Sequence, residues 1–396
     1  MIAGDLPLAG LRVVEFSHMV MGPSAGMILG DLGADVIKVE PWPGGDKTRQ
    51  LPGAGAGFFP VFNRNKRSLA VDLKSPGGIA LVRRLLATAD VLTENFRTGA
   101  LDDLGLGHAA LSVDNPGLIY CSLKGFLAGP YETRTALDEV VQMMGGLAYM
   151  TGPPGRPLRA GSSVNDIMGG MFAVIGILAA LAERARSGRG RHVRSALFEN
   201  NLLLVAQHMA QSVITGRPAP PMPVRVSAWG VYDVFDSADG GQVFVGIVSD
   251  GQWQTFCRRF GRPDLAADPD LATNPGRVAG RARMMPALKA LFGAMTRAEI
   301  LAACEAAGLP FAPINRPEDL YDDPQVRAPG ALVEVTLPDG RPLGVPALPL
   351  EMDGERLGLR LDVPKVGEHS RAIAREAGYS DAEIEALVRN GAIGPA

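Results

Sequence analysis

The sequence predicts an α/β protein built around a parallel sheet, on three observations. Short β-branched apolar runs alternate with helical patterns through the first half of the chain. The helical stretches are long enough to serve as crossovers. The pattern then changes beyond one proline-rich segment, GRPAPPMP (216–223). Strands separated by helices of this length form βαβ units, and those units pair in parallel.

LRVVEFS (11–17) reads as the first strand, SAGMILGDLG (24–33) as a helix and DVIKVE (35–40) as the second strand. The alternation continues with SLAVDL (68–73), a helix over 76–89, VLTEN (91–95) and LIYCSLKGF (118–126). GPPGRPLRAGSS (152–163) interrupts it, because glycine and proline break regular structure. A long apolar helix follows and ends in ERARSGRGR (183–191), where basic residues face the negative end of the helix dipole and Gly188 caps it. The four prolines of 216–223 mark a linker. Beyond it, VYDVFDSADGGQVFVGIV (231–248) predicts a hairpin turning at Asp239–Gly240. Two or three amphipathic helices over 252–308, a second hairpin at Asp339–Gly340 and a closing helix, DAEIEALVRNG (381–391), complete the pattern.

Composition narrows the function. A length of 396 residues suggests two domains or one large one, and 46% hydrophobic residues supply a core. A net charge of -3 lacks the basic footprint of a nucleic-acid binder. Cys121, Cys257 and Cys304 are far apart and odd in number, which fits a reducing compartment and argues against a disulfide framework or a zinc site. MIAGDLPLAG shows neither a basic region nor an apolar stretch of signal-peptide type. The longest uncharged apolar run, 167–182, is shorter than the roughly 20 residues a bilayer requires, so a buried helix and a cytoplasmic protein with no membrane association are expected.

Asp166 is the local candidate for chemistry. It opens the most apolar helix of the chain, where the positive end of the dipole would keep a carboxylate ionised, and Gly169 and Gly170 would let a ligand approach the backbone. Aspartate is also a favoured N-cap, and on spacing alone that purely structural role is the stronger account of its place. His18, His108, His192, His208 and His369 form no metal-binding spacing, and no GxSxG elbow occurs. Gly105–Ala110 fits GxGxxA in form but follows a turn-like stretch instead of a strand. Lys38, Lys66, Arg67, Lys74 and Arg97 lie near predicted strand ends and as a group suit a nucleotide diphosphate.

GPSAGMILGDLGADVIKVE followed by GGDKTR resembles the N-terminal signature of the family III CoA-transferases, which include formyl-CoA and carnitine CoA-transferases and the α-methylacyl-CoA racemases. NRNKRSLAVDLK, ADVLTENFRTGALDDLGLG, NPGLIYCSLKGF, GPYETRTALDEVVQMMGG, the Asp166 helix and the C-terminal GEHSRAIAREAGYSDAEIEALVRNGAI match in order. The resemblance implies a Rossmann-like large domain from both chain ends (1–200 and 326–396), a linker over 201–225, a smaller α+β middle domain over 226–325, and an interlocked homodimer. It implies an acyl-CoA:carboxylate CoA-transferase with Asp166 as the covalent nucleophile and succinyl-CoA or another small acyl-CoA as donor. Its partners are an acyl-CoA and a free carboxylic acid, with no metal and no cofactor beyond CoA itself. Val20 and Met21 would line the path to the thioester. Val71, Asp72, Leu73, Lys74, Asn95, Phe96 and Arg97 would hold adenosine and phosphates, and Thr135, Ala136, Leu137 and Asp138 would flank the pantetheine.

The chain also departs from its relatives. Val20 stands where formyl-CoA transferases carry glutamine, Pro41 where they carry an arginine, and their tetraglycine loop is absent. Leu137 replaces the histidine that racemases use as one of two bases. A 2-methylacyl-CoA racemase and a non-catalytic CoA-binding protein are the alternative readings.

Overall fold

The computed structural model describes residues 6–225 and 227–395. The chain divides into two compact units, the first running up to Pro223 and resuming at Ala328, the second spanning Val224–Arg327.

The first unit is organised by six strands: β1 (Arg12–Phe16), β2 (Asp35–Pro41), β3 (Lys66–Val71), β4 (Val91–Glu94), β5 (Ile119–Lys124) and β6 (His192–Ala196). They lie in the order β3-β2-β1-β4-β5-β6 and every pairing is parallel. The order reverses between β1 and β4, and at such a switch point the carboxyl ends of the strands open a ligand crevice. Helix Met21–Asp31 leaves β1 at that point, three residues earlier than the sequence suggested. Pro23 is tolerated there because the first N–H groups of a helix need no internal partner. Helix Pro76–Leu86 has a complete start, with Ser75 Oγ accepting from Gly78 N–H and Pro76 at the first position.

Two layers cover the sheet. On one face helix Val164–Ser187 packs Ala173, Val174 and Ile177 onto Ile119, Cys121 and Leu123. On the other, Leu81 and Leu85 meet Ile373 and Ile384 from helices Ser370–Glu376 and Asp381–Arg389. The chain end is stitched to β3, with Asp72 N–H donating to Ala392 O and Gly394 N–H to Ala70 O, both at 2.9 Å. A hairpin of β10 (Leu332–Thr336) and β11 (Pro342–Pro346) turns at Asp339–Gly340.

The second unit holds an antiparallel sheet of β7 (Val231–Asp236), β8 (Gln242–Ile247) and β9 (Phe311–Pro313). Its hairpin turns where Asp239–Gly240 stand, with Gly240 at φ +76°. Trp253, Phe256 and Phe292 fill its core from helices Asp250–Arg259 and Arg281–Gly293.

Three elements differ from the sequence reading. Strand β6 was not foreseen; as a sheet edge it carries His192 and Arg194 and shows no apolar alternation. The stretch 201–225, read as linker, is helical as far as Thr215 within helix Leu197–Thr215, which ends at Gly216 with φ +65°. Helix Val164–Ser187 is long and apolar enough to cross a membrane, and only one of its faces is buried. Met171, Phe172, Ile175 and Leu178 are exposed along the other.

Candidate functional site

Asp166 occupies the first turn of helix Val164–Ser187, but it does not cap that helix. The cap comes from Asp138, whose Oδ2 accepts from the N–H groups of Asn165 (2.8 Å) and Asp166 (3.1 Å). Asp138 is itself buried at the start of helix Asp138–Met144, and Gln142, one turn on, donates to its Oδ1. Gln142 Oε1 in turn accepts from Ala160 N–H at 2.8 Å and clips down the glycine- and proline-rich loop. The structural reading of Asp166 as an N-cap therefore fails. Among the described residues its carboxylate has no hydrogen-bond partner.

Its ionisation also departs from expectation. Asp138 takes the N–H groups that carry the positive end of the dipole, so little of that field is left to hold Asp166 ionised. Burial first, then the like charge of Asp138, pushes the Asp166 carboxyl up to about 7; Arg159 opposes the rise. Arg159, ion-paired with Glu139, was not singled out in the sequence. It is hidden in an irregular loop with no periodic signal.

Gly169 and Gly170 serve packing and not ligand access. A Cβ on Gly169 would strike the Met21 side chain and lie 2.8 Å from Asn200 Nδ2. One on Gly170 would strike Ser24 Oγ and lie 2.9 Å from Met21 O. The two glycines thus let the Asp166 helix press against the first turn of helix Met21–Asp31. Val20 caps that helix and Met21 opens it, both buried. Asn95, just after β4, brackets His18, accepting from its N–H at 3.1 Å and donating to its carbonyl at 2.8 Å. Phe96 stands edge-on to Phe16 and His18. The switch point thereby brings Val20, Met21, Asn95 and Phe96 together, with the Asp166 helix alongside.

The remaining sequence candidates are more dispersed. Val71 is buried at the end of β3, and Asp72, Leu73 and Lys74 form the turn after it, where Asp72 Oδ1 accepts from Lys74 N–H at 2.9 Å. Thr135 and Leu137 are exposed, and Ala136 packs against Gly125. Of the five cations proposed for phosphate, Lys38 and Lys66 are fully buried around Glu15. Arg67 is engaged by Asp35 (2.6 Å) and Glu376 (2.7 Å). Lys74 and Arg97 remain exposed, Arg97 pairing with Asp103 at 2.7 Å. His108, read as a surface residue, stacks on His192 with centroids 4.7 Å apart.

Fold and site define an α/β protein with a topological switch point between β1 and β4 and, on the helix packed against the element that leaves β1 there, a carboxylate kept short of both solvent and partners. The chain matches CoA-transferase family III over residues 8–370, and it belongs to that family of enzymes. It is 38% identical over 386 residues to the succinate–glutarate CoA-transferase of Agrobacterium fabrum, covering 93% of this chain and 95% of that one. It is 33% identical to the succinyl-CoA:glutarate CoA-transferase of Mus musculus, over 98% of this chain and 90% of the other. A crystal structure of a CAIB/BAIF family protein from Brucella suis superposes with a TM-score of 0.83 at 37% identity, covering 94% of this chain and 99% of that one.

Proposed function

We propose that the protein transfers CoA from succinyl-CoA to a small carboxylic acid through covalent intermediates on Asp166. The observation that carries this is the Asp166 carboxylate itself, half-buried and, among the described residues, without a hydrogen-bond partner, on the helix that packs against Met21 and Ser24 at the switch point. A carboxylate deprived of solvation is a better nucleophile once ionised, and splitting the transfer into acyl-enzyme steps is nucleophilic catalysis. Asp166 attacks the thioester carbonyl, the C–S bond breaks, and a mixed anhydride and CoA thiolate form. The thiolate then attacks the Asp166 carbonyl carbon and expels the donor acid, leaving an aspartyl-CoA thioester. The acceptor carboxylate attacks that thioester and repeats the two steps in reverse, freeing Asp166. The first N–H groups of helix Met21–Asp31 have no intrahelical partner and would stabilise the oxyanions. This sequence requires no group beyond the two acids and CoA. Lys74 and Arg97 would meet the nucleotide phosphates. Leu137, at the cap of helix Asp138–Met144, offers no base for α-proton exchange, which weighs against a racemase.

The donor and the acceptor class come from the relatives, of which two act between succinyl-CoA or succinate and glutarate by name. The test is to incubate the protein with succinyl-CoA and a panel of free acids and to separate the CoA esters by mass. Glutarate or another dicarboxylate should be converted to its CoA ester with release of succinate; transfer to none of the acids would sink the proposal.

We further propose an interlocked homodimer in the cytoplasm. Supporting it, helices Val164–Ser187 and Leu197–Thr215 expose Ile175, Leu203, Met209, Val213 and Ile214, with Val213 and Ile214 at 85% and 83%. Apolar faces of this extent mark protein interfaces. The cysteines are free and buried, as in a reducing compartment. Mass photometry at nanomolar concentration should find dimers only, since interlocked chains part only by unfolding. A folded monomer at that dilution would contradict interlocking.

A further inference from the structure

The turn between β1 and helix Met21–Asp31 is held by side chains from other parts of the first unit. Lys38 Nζ donates to the Ser17 carbonyl (2.8 Å) and Lys66 Nζ to the Pro23 carbonyl (2.9 Å). Asn95 grips His18 from both sides. Between these anchors Met19 lies at φ +65°, a left-handed conformation that residues with a Cβ seldom adopt. Such a conformation persists only where its surroundings enforce it.

The enforcing contact is a relay of three side chains. Met19 N–H donates to Thr48 Oγ1 at 3.0 Å. Thr48 Oγ1 donates its own proton to Asp46 Oδ1 at 2.7 Å, which leaves a lone pair aimed at Met19. Asp46 is fixed from behind by Lys38, 2.9 Å from its Oδ2, and it also accepts from Thr48 N–H at 2.9 Å. Thr48, Asp46 and Lys38 are all buried, so the hydroxyl cannot swing to water. The turn it holds leads directly into the first turn of helix Met21–Asp31, against which Gly170 seats the Asp166 helix.

We infer that Thr48 is a positioning residue of the transfer reaction: its hydroxyl, aimed by Asp46, holds Met19 in the left-handed conformation and fixes the turn between β1 and helix Met21–Asp31, the helix that the Asp166 helix packs against. The inference rests on the function proposed above. It does not place Thr48 in contact with substrate. Misplacement of a supporting segment by about 1 Å can cost on the order of 100-fold in rate, because the reacting atoms lose their alignment.

The test compares Thr48→Val, which keeps the shape and removes the acceptor, with Thr48→Ser, which keeps the hydroxyl. Thr48→Val should lower kcat by about 10- to 100-fold while KM for succinyl-CoA stays within about threefold. Thr48→Ser should retain most of the parental kcat. Hydrogen exchange read by mass spectrometry supplies an arm that needs no activity: the peptide covering Ser17–Gly22 should exchange faster in Thr48→Val, with peptides of β4 and β5 unchanged, and not in Thr48→Ser. Unchanged exchange in Thr48→Val overturns the inference, as does faster exchange at parental kcat. So does a rate loss matched by faster exchange across the whole sheet, which would mark a general loss of structure. If the parent itself transfers CoA to no acid, the proposed function falls on that assay alone, and this role for Thr48 falls with it.

Discussion

Asp166→Asn is expected to lose transfer by a factor on the order of 10⁴ or more, because the variant has no carboxylate oxygen to form the anhydride. CoA binding, followed by titration calorimetry, should stay close to parental, since the substitution leaves the proposed phosphate contacts, Lys74 and Arg97, untouched. With the parent, hydroxylamine should trap Asp166 only after an acyl-CoA is added. The pH dependence follows from the carboxyl at about 7. Only the ionised form attacks, so kcat/KM of the parent should fall toward tenfold per pH step below that value. The sign for stability is the opposite. The folded state resists ionisation of Asp166, whereas the unfolded chain ionises it near the ordinary 3.8. Ionisation therefore costs stability as pH rises from about 4 to 7, and the cost levels off above that. Asp166→Asn escapes it and should be more stable than the parent by about 1–3 kcal/mol at pH 8, with little difference at pH 4. An inactive variant with a higher melting temperature at pH 8 would set the loss of activity apart from misfolding. Substantial transfer by Asp166→Asn would remove Asp166 from the mechanism.

Strands β1 to β5 were legible because a parallel strand covered on both faces must be a nearly continuous apolar run, and LRVVEFS, DVIKVE and LIYCSLKGF are such runs. Strand β6 carries no such signal, because an edge tolerates His192 and Arg194. Helix Leu197–Thr215 is obscured in the sequence for another reason: the prolines after it extend the linker signal backward. At the site, the position of Asp166 at a helix start could be read locally, but its ionisation could not. Asp138 is 28 positions upstream, and only the fold shows that it spends the dipole. Lys38 and Lys66 failed as phosphate ligands on the same ground. A cation at a strand end looks solvated until a carboxylate from another strand is found against it. Glu15 is 23 and 51 positions away from the two lysines, beyond any local pattern. The resemblance to a family points to Asp166 as the nucleophile without these contacts, because motif order carries tertiary information that periodicity lacks.

Glu15→Ala should destabilise the protein by about 3–5 kcal/mol, the usual cost of leaving a buried charge without its partner. Glu15 is fully buried beneath helix Met21–Asp31, where a Cβ on Gly26 would collide with its carboxylate. It stands 3.4 Å from Lys38 Nζ and 2.9 Å from Lys66 Nζ. Burial works against charge on Lys38, but Glu15, Asp46 and Glu40 outweigh it and hold its ammonium charged. At Lys66 burial wins and brings the group down to about 8, with Glu15 its main support. Without Glu15 both lysines face a low dielectric with less compensation, so their protons leave more readily in the folded state. The unfolded chain keeps those protons up to about 10.4, so the variant should regain stability as pH rises through 8 toward 10. Its deficit against the parent should therefore be largest near pH 7 and shrink by pH 9–10, as read by urea unfolding at each pH. Glu15→Gln, which keeps an acceptor but no charge, should fall between the two. A deficit below about 1 kcal/mol for Glu15→Ala at pH 7 would mean that Asp46, Asn63 and the backbone carbonyls satisfy both ammonium groups unaided. The lysines also anchor the Ser17 and Pro23 carbonyls, so Glu15→Ala should lose activity and stability together. Thr48→Val removes one N–H contact of the same turn and the hydroxyl donor to Asp46, and should lose activity with a smaller loss of stability than Glu15→Ala, which tells the loss of the turn's foundation from the loss of its alignment.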